Sequence, residues 1–183
     1  MAGFEVTLHG RFWVTPEAEV GANPMLAIAT GKSIVQTFDV SQIVEDGQQA
    51  LYSSHCEFDM APTQKALAIA YTFSGDGTGS LFLVVTWTGS YQVVFKKSVG
   101  QGRMVLDSGT VELWERTFGK YASRPDSVHY ECEWCDHRYL ITRFTWRNGV
   151  YAKAGSKRTK KAYDPAEITA IPLVQRPNSQ PKQ

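Results

Sequence analysis

Residues 138–154 read RYLITRFTWRNGVYAKA, and this stretch decides the fold. Two runs rich in β-branched and aromatic residues flank the dipeptide Asn148-Gly149. A two-residue turn of type I′ requires a positive φ at both central residues, and Asn followed by Gly meets that requirement well. The stretch therefore predicts an antiparallel hairpin whose strands cover 138–147 and 150–154.

Alternation of apolar and polar residues continues through most of the chain. In FEVTLHGRFWV (4–14), Phe4, Val6 and Leu8 share one face of an extended strand, as expected where only one face is buried. Similar segments recur between turns rich in Gly, Asp and Asn. We predict an all-β protein built as a single antiparallel meander, in the form of a sandwich, a barrel or a small propeller-like fold. The other predicted strands are 25–29, 33–40, 50–58, 65–73, 80–87, 91–97, 102–106, 110–116 and 127–134.

Near its C-terminus the chain contains the one good signal for a helix. In DPAEITAI (164–171), Asp164 is a suitable N-cap and Pro165 suits the first helical position. The segment predicts one short C-terminal helix. Residues 175–183, QRPNSQPKQ, are polar and carry two prolines, which is typical of a disordered tail. We therefore expect a single β domain over residues 1–174.

Composition excludes several classes of protein. The chain has 183 residues, 43% of them hydrophobic, and a net charge of only +1. These values predict a protein with an ample core and no chain-wide nucleic-acid footprint. No apolar run approaches the roughly 18 residues of a membrane span. The first residues show no signal-peptide pattern, so we expect a chain that is cytoplasmic or exported after removal of a leader.

An Asp-Gly turn precedes an apolar strand twice, in EDGQQALYSSHCEFD (45–59) and in GDGTGSLFLVVTW (75–87). In this feature residues 45–90 resemble the integrin-type (FG-GAP-like) repeats of β-propellers, in which a D-x-D-x-D-G loop precedes an apolar strand. The resemblance implies a calcium loop. Only Asp76 and Gly77 of that pattern are present here, too few oxygen ligands for calcium, so we expect no calcium site.

The stretch YECEWCDHRY (130–139) contains the other concentration of reactive side chains. Thiolates and imidazoles are the ligands that zinc prefers. Under this hypothesis a zinc-stabilised β domain would use Cys132, Cys135 and His137, with His55 or Cys56 as the fourth ligand.

Two other interpretations of the cysteines remain open. If the protein is exported, a disulfide would pair Cys56 with either Cys132 or Cys135, or would join Cys132 to Cys135. A bridge between Cys56 and Cys132 would join strands that lie far apart in sequence. Alternatively, the cysteines are buried free thiols, a common state for cysteine in a core.

Charge is segregated between Arg138 and Tyr163, where the chain carries no Asp or Glu. Cations beside aromatic rings bind phosphates and stack on bases, although a solvated basic face has the same composition. We predict that residues 143–163 contact another macromolecule with an acidic surface, which would be a protein, a polysaccharide or a nucleic acid. The candidate binding residues are Arg143, Arg147, Lys153, Lys157, Arg158, Lys160, Lys161, Trp146 and Tyr151.

Catalytic patterns are poorly represented. The chain has no nucleophile elbow, phosphate-binding loop or paired-histidine zinc motif. The sequence therefore favours a non-catalytic binding or inhibitor-type domain without a cofactor. The alternatives are the zinc-stabilised β domain and an exported hydrolase acting on glycans, for which Glu112 and Glu115 would be candidate carboxylates. The oligomeric state is not indicated by the sequence.

Overall fold

The structure is a computed structural model that describes residues 4–8, 10–14, 25–30, 33–39, 49–74, 79–117 and 135–176. Within these residues the chain is almost entirely extended. Its strands are β1 (Phe4–Leu8), β2 (Gly10–Val14), β3 (Met25–Thr30), β4 (Ser33–Asp39), β5 (Gln49–Ala61), β6 (Gln64–Ser74), β7 (Gly79–Trp87), β8 (Tyr91–Gly100), β9 (Arg103–Asp107), β10 (Thr110–Arg116), β11 (Tyr139–Arg147), β12 (Val150–Arg158) and β13 (Leu173–Gln175). A short helix, α1 (Pro165–Thr169), precedes β13.

These strands form three sheets, which we call A, B and C. Sheet A has the order β1-β2-β3-β4, sheet B the order β5-β6-β7-β8, and sheet C the order β12-β11-β10-β9-β13. Neighbours within each sheet follow one another in sequence and pair antiparallel, except that β13 pairs parallel with β9. The predicted all-β class and antiparallel meander are therefore confirmed.

The predicted hairpin lies in sheet C. Arg147 pairs with Val150 across the turn, and β11 and β12 continue antiparallel from there. Asn148 has φ 52° and Gly149 has φ 82°, the two positive values that a type I′ turn requires. A register shift at Arg143 and Phe144 adds a bulge farther along the pair.

Sheet B lies in the middle of the molecule and is buried on both faces. A sheet covered on both sides has no polar face, which explains the near-continuous apolar runs of β6 and β7 in place of alternation. Six consecutive residues of β6 are at most 2% exposed and divide between the two faces: Ala66, Leu67, Ala68, Ile69, Ala70 and Tyr71.

One face of sheet B packs against sheet A. Leu67, Ile69 and Leu83 form a buried cluster with Ile28 of β3, and Phe38 of β4 packs against its margin. The Gln36 side chain fastens the two sheets, since its Nε2 donates to the Tyr91 carbonyl at 2.7 Å and its Oε1 accepts from the Tyr91 N–H at 3.0 Å.

The opposite face of sheet B packs against sheet C. The small residues Ala66, Ala68 and Ala70 leave room for larger side chains from both sheets. Phe82 and Phe95 of sheet B meet the apolar side chains of β9 and β10 in this layer, namely Met104, Leu106, Val111 and Leu113. The domain is therefore a three-layered sandwich.

The helix forms as predicted and leads into β13. The Asp164 side chain accepts a hydrogen bond from the Ala166 N–H at 2.8 Å, and Pro165 occupies the first turn. The predicted tail began at residue 175, but Gln175 belongs to β13 and the Arg176 N–H donates to the Leu106 carbonyl at 2.9 Å. The described domain thus extends two residues beyond the predicted boundary, and residues 177–183 lie outside the description. The predicted strand 127–134 also lies outside it.

Gly102, between β8 and β9, provides a test of the packing around sheet C. A methyl group there would overlap the Trp114 carbonyl oxygen and approach Val99 Cγ2 to 2.6 Å. We predict that Gly102→Ala lowers the free energy of unfolding by about 1–3 kcal/mol, measured by chemical denaturation. Gly155→Ala is the control, because a methyl there meets no atom within 4 Å. Equal stability of the two variants would contradict this packing.

Candidate functional site

Strand β12 and the residues next to it place most of the predicted cations in solvent. Strand β12 is an edge strand of sheet C, and every residue from Ala152 to Arg158 is exposed. In the described part of the chain no carboxylate lies within ion-pair distance of Lys153, Lys157 or Lys160. We call the exposed cations of this region the basic edge: Arg147, Lys153, Lys157, Arg158, Lys160 and Lys161.

The direction of the backbone groups along β12 follows from its pairing. The Thr159 N–H donates to the Tyr139 carbonyl at 2.9 Å, and Ser156 pairs with Thr142 three positions farther on. Since inward and outward pairs alternate in an antiparallel ladder, Ser156 turns its N–H and C=O away from β11. Among the described strands, none lies beyond β12.

The aromatic residues of the predicted surface have a different role from the cations. Trp146 and Tyr151 are half-buried and pack at the margin of the cluster between sheets B and C. Their ring centroids lie 5.2 Å apart, and the Tyr151 ring contacts Phe95 of β8 edge to face at 5.5 Å. These rings hold the two sheets together, so the candidate surface consists of its cations.

Arg143 has a carboxylate partner in the described part of the chain. Glu112, whose side chain is 3% exposed, accepts from Arg143 Nη2 at 2.6 Å and from Arg176 Nη2 at 2.5 Å. Burial alone raises the pKa of Glu112, but the hydrogen bond from Arg143 and the charges of Arg176, Arg143 and Lys157 outweigh it and lower the pKa. Through these ion pairs Glu112 links β10 to β11 and to Arg176, the residue that follows β13.

Of the five residues proposed as metal ligands, the four that the structure describes do not form a cluster. His55 and Cys56 are consecutive in β5 and point to opposite faces, since they pair with Ile69 and Ala68 respectively. The His55 Nδ1 shares a hydrogen bond with the Tyr52 hydroxyl. Burial raises the pKa of the Cys56 thiol to about 11, which disfavours the thiolate that zinc needs.

The remaining described members of that set lie in the segment just before β11. His137 forms a backbone bridge with Tyr163, and Cys135 is exposed nearby. His55 faces sheet A, so the thickness of sheet B separates it from His137. Among the described residues no three His, Cys, Asp or Glu side chains come together as a metal site, and Cys132 lies outside the description. The arrangement gives no support to the predicted zinc site.

The state of the Cys56 thiol tests the proposed disulfide between Cys56 and Cys132. This thiol is free and packs at the margin of the cluster between sheets B and C. The predicted bridge between Cys56 and Cys132 is therefore not formed at the Cys56 end.

The carboxylates considered for glycan hydrolysis do not form a pair with each other. Glu112 and Glu115 are three residues apart on β10, and residues at that spacing in a strand point to opposite faces. Glu112 is held ionised between two arginines, which is unsuited to a general acid.

Sequence reasoning missed a cluster of aromatic and cationic side chains at one end of sheet C. The Arg103 guanidinium lies over the Trp114 ring, 4.3 Å from its centroid. The Tyr163 ring contacts Trp114 at 5.6 Å, and Tyr139 lies 6.2 Å from Trp114. The Lys161 ammonium sits over Tyr163 at 4.5 Å. The four strands and loops involved are distant in sequence, so only the strand register reveals the cluster.

Comparison with known proteins returned no match. No family model, no curated protein and no solved structure matches the chain. No helix in the described ranges has the length and apolar character needed to cross a membrane. Functional conclusions therefore depend on the geometry alone.

Protonation of Glu112 offers a test of the ion-pair network. The lowered pKa of Glu112 means that its stabilisation is present above the ordinary pKa of 4.5 and is lost as pH falls through the lower folded value. We predict that Glu112→Gln lowers the free energy of unfolding by about 1–3 kcal/mol at pH 7, and that the difference from wild type shrinks below about pH 4.

Glu115→Gln is the matched control, because Glu115 is exposed on the same strand. Urea denaturation at a series of pH values measures both variants. A Glu112→Gln protein as stable as wild type at pH 7 would show that the network contributes nothing.

Proposed function

We propose that the protein is a non-catalytic binding module whose basic edge recognises an acidic segment of another protein. The observation that carries this proposal is the exposure of Lys153, Lys157 and Lys160 without carboxylate partners in the described residues. Cations arranged along this edge of sheet C attract an acidic partner and orient it.

Two features favour a polypeptide over a nucleic acid or a polysaccharide. First, Trp146 and Tyr151 pack against the core, so they offer no stacking platform for bases or sugars. Second, the outward N–H and C=O of Ser156 lie on a sheet edge to which an extended polypeptide can add as a further strand.

The lysines of an edge strand also prevent two copies of a protein from pairing edge to edge. This protective role and the proposed binding role are compatible. Like charges repel a second copy of β12, whereas a strand bearing Asp and Glu is attracted to it.

The proposal predicts salt-sensitive binding of acidic polypeptides that depends on the basic edge. With fluorescently labelled poly-glutamate as the probe, replacing Lys153, Lys157 and Lys160 by Ala should weaken binding about tenfold at low ionic strength, as three screened surface pairs would. Fluorescence anisotropy measures the affinity. The control replaces Lys65, Lys96 and Lys97 by Ala, an equal loss of charge at exposed positions of sheet B.

A second variant distinguishes strand addition from general attraction of anions. Proline is tolerated at an edge position whose N–H faces away from its neighbour, so Ser156→Pro should fold and yet lose poly-glutamate affinity, whereas Ser156→Ala retains it. Stronger binding of double-stranded DNA or of a sulfated polysaccharide than of poly-glutamate would show that the partner is a nucleic acid or a polysaccharide and not an acidic polypeptide. Equal affinity of the two triple variants for every probe would refute the basic edge as the binding surface.

A further inference from the structure

The cluster around Arg103 and Trp114, which the sequence did not predict, lies on the outer face of sheet C. Trp114 pairs with Arg103 on one side and with Ile141 on the other, so their side chains share that face. Tyr139 occupies the next outward position, beside Arg116. The segment after β12 crosses this end of the sheet, where His137 and Tyr163 exchange backbone hydrogen bonds at 2.9 and 2.8 Å.

Three polar groups in this cluster are buried without a hydrogen-bond partner in the described part of the chain. They are the Arg103 Nε, the Trp114 Nε1 and the Tyr139 hydroxyl. Tyr139 is fully buried. All three groups are able to donate a hydrogen bond, and buried donors in folded proteins nearly always meet an acceptor.

The electrostatics of the cluster favour an acceptor with negative charge. In the described part of the chain Arg143 and Arg176 form ion pairs with carboxylates, whereas the Arg103 guanidinium lies over the Trp114 ring and forms no such pair there. Burial lowers the pKa of Arg103, and the nearby Tyr163 and Tyr139 raise it in part. Burial raises the pKa of Tyr139 to about 12 against the pull of Arg116 and Arg103, so its hydroxyl stays protonated and able to donate at neutral pH.

We propose that Arg103, Trp114 and Tyr139 form a binding site for one oxyanion group, a phosphate or a carboxylate. A guanidinium is the side chain best suited to these planar or tetrahedral oxygens, and an indole N–H and a phenol add neutral donors. Lys161 stands over the Tyr163 ring and adds positive charge at the rim. Apart from Lys161 at its rim the site shares no residue with the basic edge, and the test of the basic edge replaces none of the residues of this site.

The indole N–H of Trp114 allows a direct test on the full chain. In ¹⁵N-labelled protein, titration with inorganic phosphate or with acetate at constant ionic strength should shift the Trp114 indole resonance saturably. Trp114→Phe assigns that resonance. The indole of Trp87, which is 55% exposed, serves as the internal control and should not move. Comparison of the two anions shows whether the site prefers a phosphate or a carboxylate.

Two variants connect the shift to the proposed donors. Arg103→Gln should weaken anion binding about tenfold or more, the usual effect of losing a hydrogen bond from a charged group. Tyr139→Phe keeps the ring and its packing while removing one donor, so it should fold and weaken binding several-fold. Lys97→Gln, at an exposed position of sheet B, is the control.

Either of two results would overturn the proposal. One is a Trp114 indole resonance that neither anion moves. The other is a shift that fails to saturate and is the same in wild type and Tyr139→Phe, as the general effect of excluded salts would be.

Discussion

The burial of sheet B on both faces is the constraint on which the rest of the structure depends. β6 and β7 have no face in contact with water, so their side chains must be apolar at successive positions. Burial of apolar surface at about 25 cal/mol per Å² is the main favourable term in folding. A buried polar side chain in these strands needs a partner of its own. The Thr86 hydroxyl, for example, donates to the Lys65 carbonyl at 2.8 Å.

This constraint leaves the outer faces of the sandwich for polar chemistry. Sheet C uses its inner face for the core and its outer face for the Glu112 network and the Arg103–Trp114 cluster. Its edge strand β12 packs through Tyr151 near the hairpin turn and is otherwise exposed. The candidate binding features therefore lie on sheet C, next to rigid strands that hold their positions.

Local chemistry explains which parts of the structure were predictable. The Asn148-Gly149 turn and the Asp164 cap act within a few residues, so the hairpin and helix follow from the sequence. The exposure of the basic edge follows from the high cost of burying unpaired charge. Period-two alternation also places Phe144 and Trp146 on the same face as core residues, a signal against an exposed aromatic surface.

The remaining features depend on contacts between distant segments. Strand β13 has only three residues, and its parallel pairing with β9 begins with the Met104 N–H donating to the Pro172 carbonyl at 2.8 Å. No local sequence pattern predicts such a short strand. Likewise, Arg103, Trp114 and Tyr139 come from three strands, and only their register brings them together. The sequence indicates neither the number of layers nor which sheet lies between the other two.

Amide hydrogen exchange tests the central position of sheet B most directly. Slow exchange reports backbone hydrogen bonds that open only with extensive unfolding. The three-layered arrangement predicts that the amides of β6 and β7 exchange slowest and that outward amides of β12, including that of Ser156, exchange fastest among the strands of sheets B and C. Exchange in β7 as fast as that in β12 would contradict a middle sheet covered on both faces.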